Sequence, residues 1–286
     1  MPPGAPSTPF VVGIDGSESA LSAVRWAAVE AALRSAELHL VTVVPAAFTP
    51  GVGFQPAETN HREASHRIAV ARKTARDVTD SRNLTITSEI ADGQPIPVLL
   101  ERSTKARMLV TGTNGLGRIG RILLGSVSTA MARHARCPVA VIPRSDDAGT
   151  CRRSAPVVVG VDGSICAANA VEVAFEQAAV HHVGLVAVTV WAAPSYYIPR
   201  SEMQQQAQTL MADVLTGYLD RYPGVDVECV VCEGRAAQQL LKSAEHAGVI
   251  VVGSHGRGGF PGMTLGSVSQ KILHGARVPV VVARAP

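Results

Sequence analysis

The chain has 286 residues, of which 47% are hydrophobic and 17% charged, and 26 basic and 23 acidic residues give it a net charge of +3. Its length predicts two domains, because single hydrophobic cores rarely grow beyond roughly 250 to 300 residues. The charges lack the basic cluster typical of nucleic-acid binding, and no apolar run reaches the roughly 20 residues that span a bilayer. The proline-rich start (Met1–Pro9) does not resemble a signal peptide. We therefore expect a cytoplasmic protein that neither binds nucleic acid nor spans a membrane.

Short apolar runs alternate with longer amphipathic segments along the first half of the chain. The short runs predict strands and the amphipathic segments predict helices. Predicted strands lie near 10–15, 38–44, 84–90, 108–111 and 139–142, and predicted helices lie at 17–35, 63–79, 95–103 and 126–135. This alternation predicts an α/β, doubly wound, Rossmann-like fold with a parallel sheet, in which ligands bind beyond the carboxyl ends of the strands.

The sequence repeats itself. The run FVVGIDGS at 10–17 returns as VVVGVDGS at 157–164, and the glycine-rich region at 112–128 returns at 253–269. A repeat of this length indicates two copies of one structural unit. The polar, proline- and glycine-containing stretch between the copies is typical of a linker. We therefore predict domains at 1–146 and 155–286, joined by residues 147–154.

An Asp-Gly-Ser turn follows the first predicted strand of each copy, with Asp15 in the first and Asp162 in the second. A carboxylate at this place can receive a ribose hydroxyl group or a bound metal ion. Aspartate and serine are also the residue types that cap a helix. Both interpretations remain open for this turn.

A glycine-rich loop follows the fourth predicted strand of each copy, with identical spacing: Gly112-x2-Gly115-x9-Gly125-Ser and Gly253-x2-Gly256-x9-Gly266-Ser. Glycines let backbone N–H groups approach phosphate oxygens, and the helix that follows attracts anions at its N-terminus. The hydroxyl groups of Ser126, Ser128, Ser267 and Ser269 are expected to add donors. A plain turn before an ordinary helix is the alternative, but the recurrence of the loop beside an acidic turn favours phosphate binding.

Other nucleotide motifs do not explain this loop. Gly115, Gly117 and Gly120 formally match the dinucleotide fingerprint, but they follow a fourth strand, and the second copy has Pro261 at the third position. A Walker lysine is absent from both loops. Backbone dipoles, a divalent cation and Arg118 or Arg257 would therefore meet the phosphate charge.

Three stretches carry a family resemblance: GSHGRGGFPGMTLGSVSQKILHGARVPVVVA and VVVGVDGSICAANAVEVA in the second copy, and GTNGLGRIGRILLGSVSTAMARHARCPVAVI in the first. They resemble the ATP-binding subgroup of the universal stress proteins. The resemblance implies a five-stranded parallel sheet in each domain and one ATP, with Mg²⁺, across the ends of the first and fourth strands.

Carried over position by position, the resemblance implies two sets of ATP-binding residues. The first set is Gly13, Asp15, Gly112, Thr113, Asn114, Gly115, Leu116, Gly117, Arg118, Gly125, Ser126, Val127 and Ser128. The second set is Gly160, Asp162, Gly253, Ser254, His255, Gly256, Arg257, Gly258, Gly259, Gly266, Ser267, Val268 and Ser269. Leu116 stands opposite Arg257, which implies that the first site binds less tightly.

The resemblance also implies pairing through the last strand of each domain, at 138–142 and 279–283. Two fused copies would then form an intramolecular pseudo-dimer, and further homodimerisation is expected. A regulatory protein partner is expected, but the sequence does not identify it.

Two residues near the predicted site have more than one interpretation. His255 lies opposite Asn114, so it is expected to shape the loop or to bind phosphate rather than to carry a catalytic step. Trp191, near the end of the second strand of its copy, could stack on adenine or be an ordinary core or rim aromatic.

Five cysteines at unrelated spacings argue against a disulfide framework. Cys229 and Cys232 form a CxxC pair within a predicted strand, where residues three apart face opposite sides. The pair predicts buried structural thiols rather than a metal site.

Three functions remain open. An ATP-binding regulator in the stress response, with slow or no hydrolysis, is favoured because no nucleophile, base and orienting group recur at the same edge. A Mg²⁺-dependent ATPase or nucleotidyl-transfer enzyme is the alternative, with Asp15 and Asp162 holding the metal. The third is an interaction module that binds partners through its edge strands and takes no nucleotide.

Overall fold

Each half of the chain forms its own unit, Met1–Gly149 and Thr150–Pro286. The computed structural model describes residues 8–45, 57–79, 84–113, 124–144, 154–192, 199–258 and 264–284.

The first unit is a parallel sheet covered by helices. Its elements in chain order are β1 (Phe10–Ile14), α1 (Glu18–Leu33), β2 (Leu38–Val44), α2 (Ala57–Thr79), β3 (Ile86–Asp92), α3 (Pro95–Ser103), β4 (Met108–Gly112), α4 (Ser126–His134) and β5 (Val139–Ile142). The strands pair in the order β3-β2-β1-β4-β5, and every pair is parallel. Strands β2 and β3 are added on one side of β1, and β4 and β5 on the other. The strand order therefore reverses between β1 and β4, which is where a doubly wound sheet forms a cleft for ligands.

The second unit repeats this plan. Its elements are β6 (Val157–Gly160), α5 (Ile165–His181), β7 (Leu185–Trp191), α6 (Arg200–Arg221), β8 (Val227–Glu233), α7 (Ala236–Ser243), a 3₁₀ turn (Ala244–His246), β9 (Val249–Gly253), α8 (Ser267–Gly275) and β10 (Val280–Ala283). The strand order is β8-β7-β6-β9-β10, again parallel throughout. The predicted doubly wound fold with five parallel strands in each copy is therefore confirmed.

A stripe of small residues sets how closely the first helix of each unit approaches its sheet. Ala20, Ala23, Ala27 and Ala31 are buried along α1, and Ala167, Ala170, Ala174 and Ala178 are buried along α5. Residues three and four apart share one helix face, and a methyl group on that face leaves room for the aliphatic side chains of the strands. Both first helices therefore begin close above the carboxyl end of the central strand.

Helix α2 and strand β3 differ most from their predicted boundaries. Helix α2 begins at Ala57 rather than at 63, because its first turns are polar and lack the apolar periodicity that marks a helix. Strand β3 spans Ile86–Asp92 rather than 84–90, and its register against β2 fixes this shift.

Candidate functional site

The Asp-Gly-Ser turn caps the first helix of each unit through its serine. Ser164 Oγ accepts a hydrogen bond from Ala167 N at 3.1 Å, and Asp162 Oδ1 accepts from Ser164 N at 2.9 Å and from Ser164 Oγ at 2.7 Å. In the first unit Asp15 Oδ1 makes the same bonds to Ser17, at 2.9 and 2.6 Å. The capping interpretation is thus confirmed for serine, and one oxygen of each aspartate orients that cap.

The second oxygen of Asp162 holds the glycine-rich loop. Asp162 Oδ2 accepts a hydrogen bond from the backbone N–H of Arg257 at 3.2 Å, which ties the loop after β9 to the turn after β6. A Cβ at Gly256 would collide with that same oxygen. Only glycine therefore lets the loop approach the carboxylate at this position.

The first glycine of each loop has a packing role that differs from the predicted one. A Cβ at Gly253 would lie 2.7 Å from the carbonyl oxygen of Cys166, and a Cβ at Gly112 would lie 2.6 Å from that of Ser19. These glycines make room for the first turn of α5 or α1 against the end of the strand. Both glycines also line the cavities, so their predicted place beside the phosphates stays a prediction.

The helices after the two loops begin without a side-chain cap. Gly125 and Gly266 are the N-cap residues of α4 and α8, and neither helix receives a side-chain hydrogen bond at its N-cap. Ser126 and Ser267, the first helical residues, are exposed. A helix start of this kind presents backbone N–H groups and the positive end of the helix dipole to an anion.

Two of the predicted hydroxyl donors are engaged in the protein. Ser269 Oγ donates to Gly253 O at 2.7 Å, and Ser128 Oγ lies 3.1 Å from Gly125 O and 3.3 Å from Thr113 O. Both serines are buried. In this structure the two hydroxyl groups hold the loop, and because both serines also line the cavities, their role as phosphate donors stays a prediction.

A cavity of about 980 Å³ lies at the carboxyl ends of the central strands of the second unit. The predicted residues that line it are Gly160, Asp162, Gly253, His255, Gly256, Arg257, Gly258, Gly266, Ser267, Val268 and Ser269. Ser254 does not line it, because its side chain is buried and contacts Cys166 and His255. Gly259 lies outside the described residues.

The corresponding cavity of the first unit measures about 180 Å³. The predicted residues that line it are Gly13, Asp15, Gly112, Thr113, Gly125, Ser126, Val127 and Ser128. The loop residues Asn114, Gly115, Leu116, Gly117 and Arg118 lie outside the described residues. Ligand pockets usually measure about 300 to 1,000 Å³, so the second cavity has nucleotide size.

The second helix of each unit forms one wall of its cavity, and no motif in the sequence indicates this wall. In the second unit Glu202, Gln206, Leu210 and Asp213 of α6 line the cavity, and Trp191 at the end of β7 lines it too. In the first unit Arg67 of α2 lines the cavity. The repeated turn and loop motifs line the same cavities, but α2 and α6 carry no comparable repeated motif.

No group of three or more His, Cys, Asp or Glu side chains with metal-binding geometry occurs among the described residues.

The prediction of buried structural thiols is wrong for Cys229, which is exposed on β8, while Cys232 is half-buried. In the part of the chain that the structure describes, no helix is long and apolar enough to cross a membrane.

Residues 7–143 and 154–284 each match the model of the universal stress protein family. The chain belongs to this family. A universal stress protein of Mycobacterium tuberculosis is 41% identical over 283 residues, which covers 96% of both chains. One from Mycolicibacterium smegmatis is 38% identical over 288 residues, with the same coverage.

The fold also resembles that of a solved universal stress protein. The crystal structure of a universal stress protein from Archaeoglobus fulgidus has a TM-score of 0.73 and covers 98% of this chain and 99% of its own. Its sequence identity is 19%, so this likeness supports the fold alone. The two matches to the family model confirm the resemblance of the sequence to universal stress proteins over both copies.

Proposed function

We propose that the second unit binds ATP in its cleft and that the chain acts as a nucleotide-dependent regulator in the stress response, with slow or no hydrolysis. The observation that carries the proposal is the 980 Å³ cavity, which the Asp162 turn, the glycine-rich loop and the uncapped start of α8 line together. A cleft of this volume at the switch point of a doubly wound sheet suits a nucleotide.

The two walls of the cleft offer different chemistry. The wall formed by the loop and α8 would hold the phosphates, through backbone N–H groups at the start of α8 and the exposed guanidinium group of Arg257. The α6 wall carries carboxylate and amide groups, Glu202, Gln206 and Asp213, which can bond to sugar hydroxyls or to a base. Trp191 supplies an aromatic surface beside them.

A Mg²⁺ ion would enter with the nucleotide rather than occupy a preformed protein site. Mg²⁺ commonly keeps several waters and binds through substrate phosphates plus one or two carboxylates. Asp162 is the carboxylate nearest to the loop, and both of its oxygens already accept hydrogen bonds from the protein. This engagement disfavours Asp162 as a general base and supports a binding role over turnover.

The two sites are proposed to be unequal. Among the described residues the first cavity measures only about 180 Å³, and the guanidinium group of Arg67 lies on its α2 wall. We therefore expect one tight nucleotide site per chain, in the second unit. Pairing through the last strands and a regulatory protein partner remain predictions of the family resemblance.

Titration of the purified full-length chain with ATP in the presence of Mg²⁺, followed calorimetrically, tests the proposal. We expect saturable binding with a stoichiometry near one. A parallel assay of phosphate release under excess ATP separates the regulator from an ATPase, because sustained release would favour the enzyme. Absence of binding to ATP, ADP and AMP alike would favour the interaction module instead.

A further inference from the structure

A cysteine, a histidine and a serine meet in the second unit, between the start of α5 and the loop after β9. Cys166 Sγ lies 3.6 Å from His255 Nε2, and Ser254 Oγ lies 3.1 Å from His255 Nδ1 and 3.6 Å from Cys166 Sγ. The imidazole ring thus has the thiol at one nitrogen and the serine hydroxyl at the other. A nucleophile, a base and a group that orients the base in this order are the parts of an activated nucleophile.

The backbone fixes this arrangement. Cys166 lies in the first turn of α5, and the absent Cβ of Gly253 lets that turn pack against the end of β9, directly before Ser254 and His255. Ser254 is buried, whereas Cys166 and His255 are partly exposed. Cys166 is therefore held in place and, as a half-buried residue, is not sealed off from solvent.

The first unit lacks this chemistry at the same place. Ser19 occupies the position of Cys166, and its backbone packs against Gly112 as that of Cys166 packs against Gly253. In the sequence, Asn114 takes the position of His255. Neither serine nor asparagine supplies a base comparable with an imidazole. The cluster is therefore a feature of the second copy and is not part of the repeated design.

We propose that Cys166 is a modification site for small uncharged electrophiles, hydrogen peroxide among them, with His255 as the acceptor of the thiol proton. The thiolate is the reactive form of cysteine, and the first turn of a helix favours negative charge on a side chain placed there. This inference does not depend on nucleotide binding.

The reaction with peroxide balances with the groups present. The thiol proton moves to His255 Nε2, and the sulfur attacks one peroxide oxygen, so that an S–O bond forms while the O–O bond breaks. Sulfur is oxidised by two electrons to sulfenic acid, and the leaving hydroxide takes up the proton from His255 to become water.

Two other cysteines provide an internal comparison. Cys229, on β8, is more exposed as a residue than Cys166. Partial burial of its thiol group nevertheless raises the pKa of that thiol. Burial likewise raises the pKa of Cys232. If access alone governed reactivity, Cys229 would react first. If the imidazole governs it, Cys166 reacts first.

The test is oxidation of the full-length protein by limiting hydrogen peroxide, with dimedone to trap sulfenic acid and peptide mass spectrometry to give the rate at each cysteine. Cys151, outside the described residues, is first changed to serine so that it does not compete. We expect Cys166 to react roughly tenfold faster than Cys229, and His255→Asn to slow Cys166 roughly tenfold, since a positioned base contributes at least that much. In this variant the rate at Cys229 should not change, which also reports that the fold is intact.

The proposal is overturned if Cys229 reacts as fast as Cys166, or if His255→Asn leaves the rate at Cys166 unchanged. Should His255→Asn alter the rate at Cys229, the comparison is repeated with His255→Gln, and an unchanged rate at Cys166 in that variant likewise overturns the proposal. A Cys166→Ser protein, which must lose the trapped product at this peptide, confirms the assignment of the signal.

Discussion

Arg67 and Leu210 occupy the same place in the two units. Each lies on the second helix of its unit and packs against the glycine of the Asp-Gly-Ser turn. Arg67 Nε lies 3.3 Å from the position of a Cβ on Gly16, and Leu210 Cδ1 lies 2.5 Å from that on Gly163. The backbones of the two units therefore agree here, but the helix side chain is cationic in the first unit and apolar in the second. In the second unit the guanidinium group of Arg257 also reaches this place, with Nη2 2.6 Å from the same position.

This pair predicts the difference between the sites. We expect Arg67→Leu to open the first cleft, so that the stoichiometry of ATP binding rises from about one to about two per chain. The reciprocal change, Leu210→Arg, should weaken binding at the second site roughly tenfold, because a larger charged group would enter the space beside Gly163. Calorimetric titration of the two variants and the wild type measures both effects. An unchanged stoichiometry in Arg67→Leu would show that Arg67 does not limit the first site.

Gly256→Ala tests the link between the loop and Asp162. The new methyl group would collide with Asp162 Oδ2 and displace the hydrogen bond from Arg257 N. We expect ATP affinity to fall roughly tenfold or more, which corresponds to about 1.4 kcal/mol. Gly217→Ala on α6 is the matched control, because nothing lies within 4 Å of a Cβ at that position. Equal affinities of the two variants would argue against the loop as a binding element.

Gly253→Ala should act on stability. Its methyl group would lie 2.7 Å from the carbonyl oxygen of Cys166, which belongs to the helix backbone and cannot rotate away. Overpacking of this kind costs about 1 to 3 kcal/mol, so the midpoint of denaturant unfolding should shift by that amount. Gly224→Ala, which meets no atom within 4 Å, serves as the comparison. A Gly253→Ala protein as stable as the wild type would contradict the packing role.

The ion pair between Glu89 and Arg102 predicts a pH dependence of stability. Arg102 donates to Glu89 from Nε at 2.9 Å and from Nη2 at 2.6 Å, and His39 Nε2 lies 3.4 Å away. The hydrogen bonds from Arg102 lower the pKa of Glu89 below its ordinary value of 4.5. A carboxylate with a lowered pKa stabilises the folded state above that ordinary value, and this contribution is lost as the pH falls through the lowered pKa.

Glu89→Gln is therefore expected to reduce the free energy of unfolding by about 1 kcal/mol at pH 7 and to have little effect well below pH 4.5. Chemical denaturation at both pH values measures the difference. Glu101→Gln is the control: Glu101 also pairs with Arg102, at 3.0 Å, but its side chain is 73% exposed. A pH-independent effect of Glu89→Gln would exclude the electrostatic explanation.

The sequence predicted the fold because two independent patterns agree. Strand and helix periodicities indicated a doubly wound sheet, and the repeat showed that the pattern occurs twice. The Asp-Gly-Ser turns and the glycine loops were predicted to meet because the carboxyl ends of parallel strands share one edge, and the described members of both sets do line the same cavities.

The sequence could not separate two uses of glycine. In the sequence, Gly253 and Gly256 are two equivalent positions of a glycine-rich loop. In the structure, Gly253 makes room for a helix backbone and Gly256 makes room for the carboxylate of Asp162. The choice depends on which atom faces the missing Cβ, and only tertiary structure provides that information. For the same reason the contacts of Arg67 with Gly16 and of Cys166 with His255 were not predicted, since each joins residues far apart in the chain.

Photolabelling with an azido-adenine analogue of ATP identifies the peptides that surround bound nucleotide. The full-length protein would be irradiated with the analogue and Mg²⁺, digested, and mapped by mass spectrometry. We expect saturable labelling that unlabelled ATP competes away, on peptides from β7, α6 or the loop after β9. Labelling that ATP does not compete, or that lies only on peptides outside the second cavity, would contradict it.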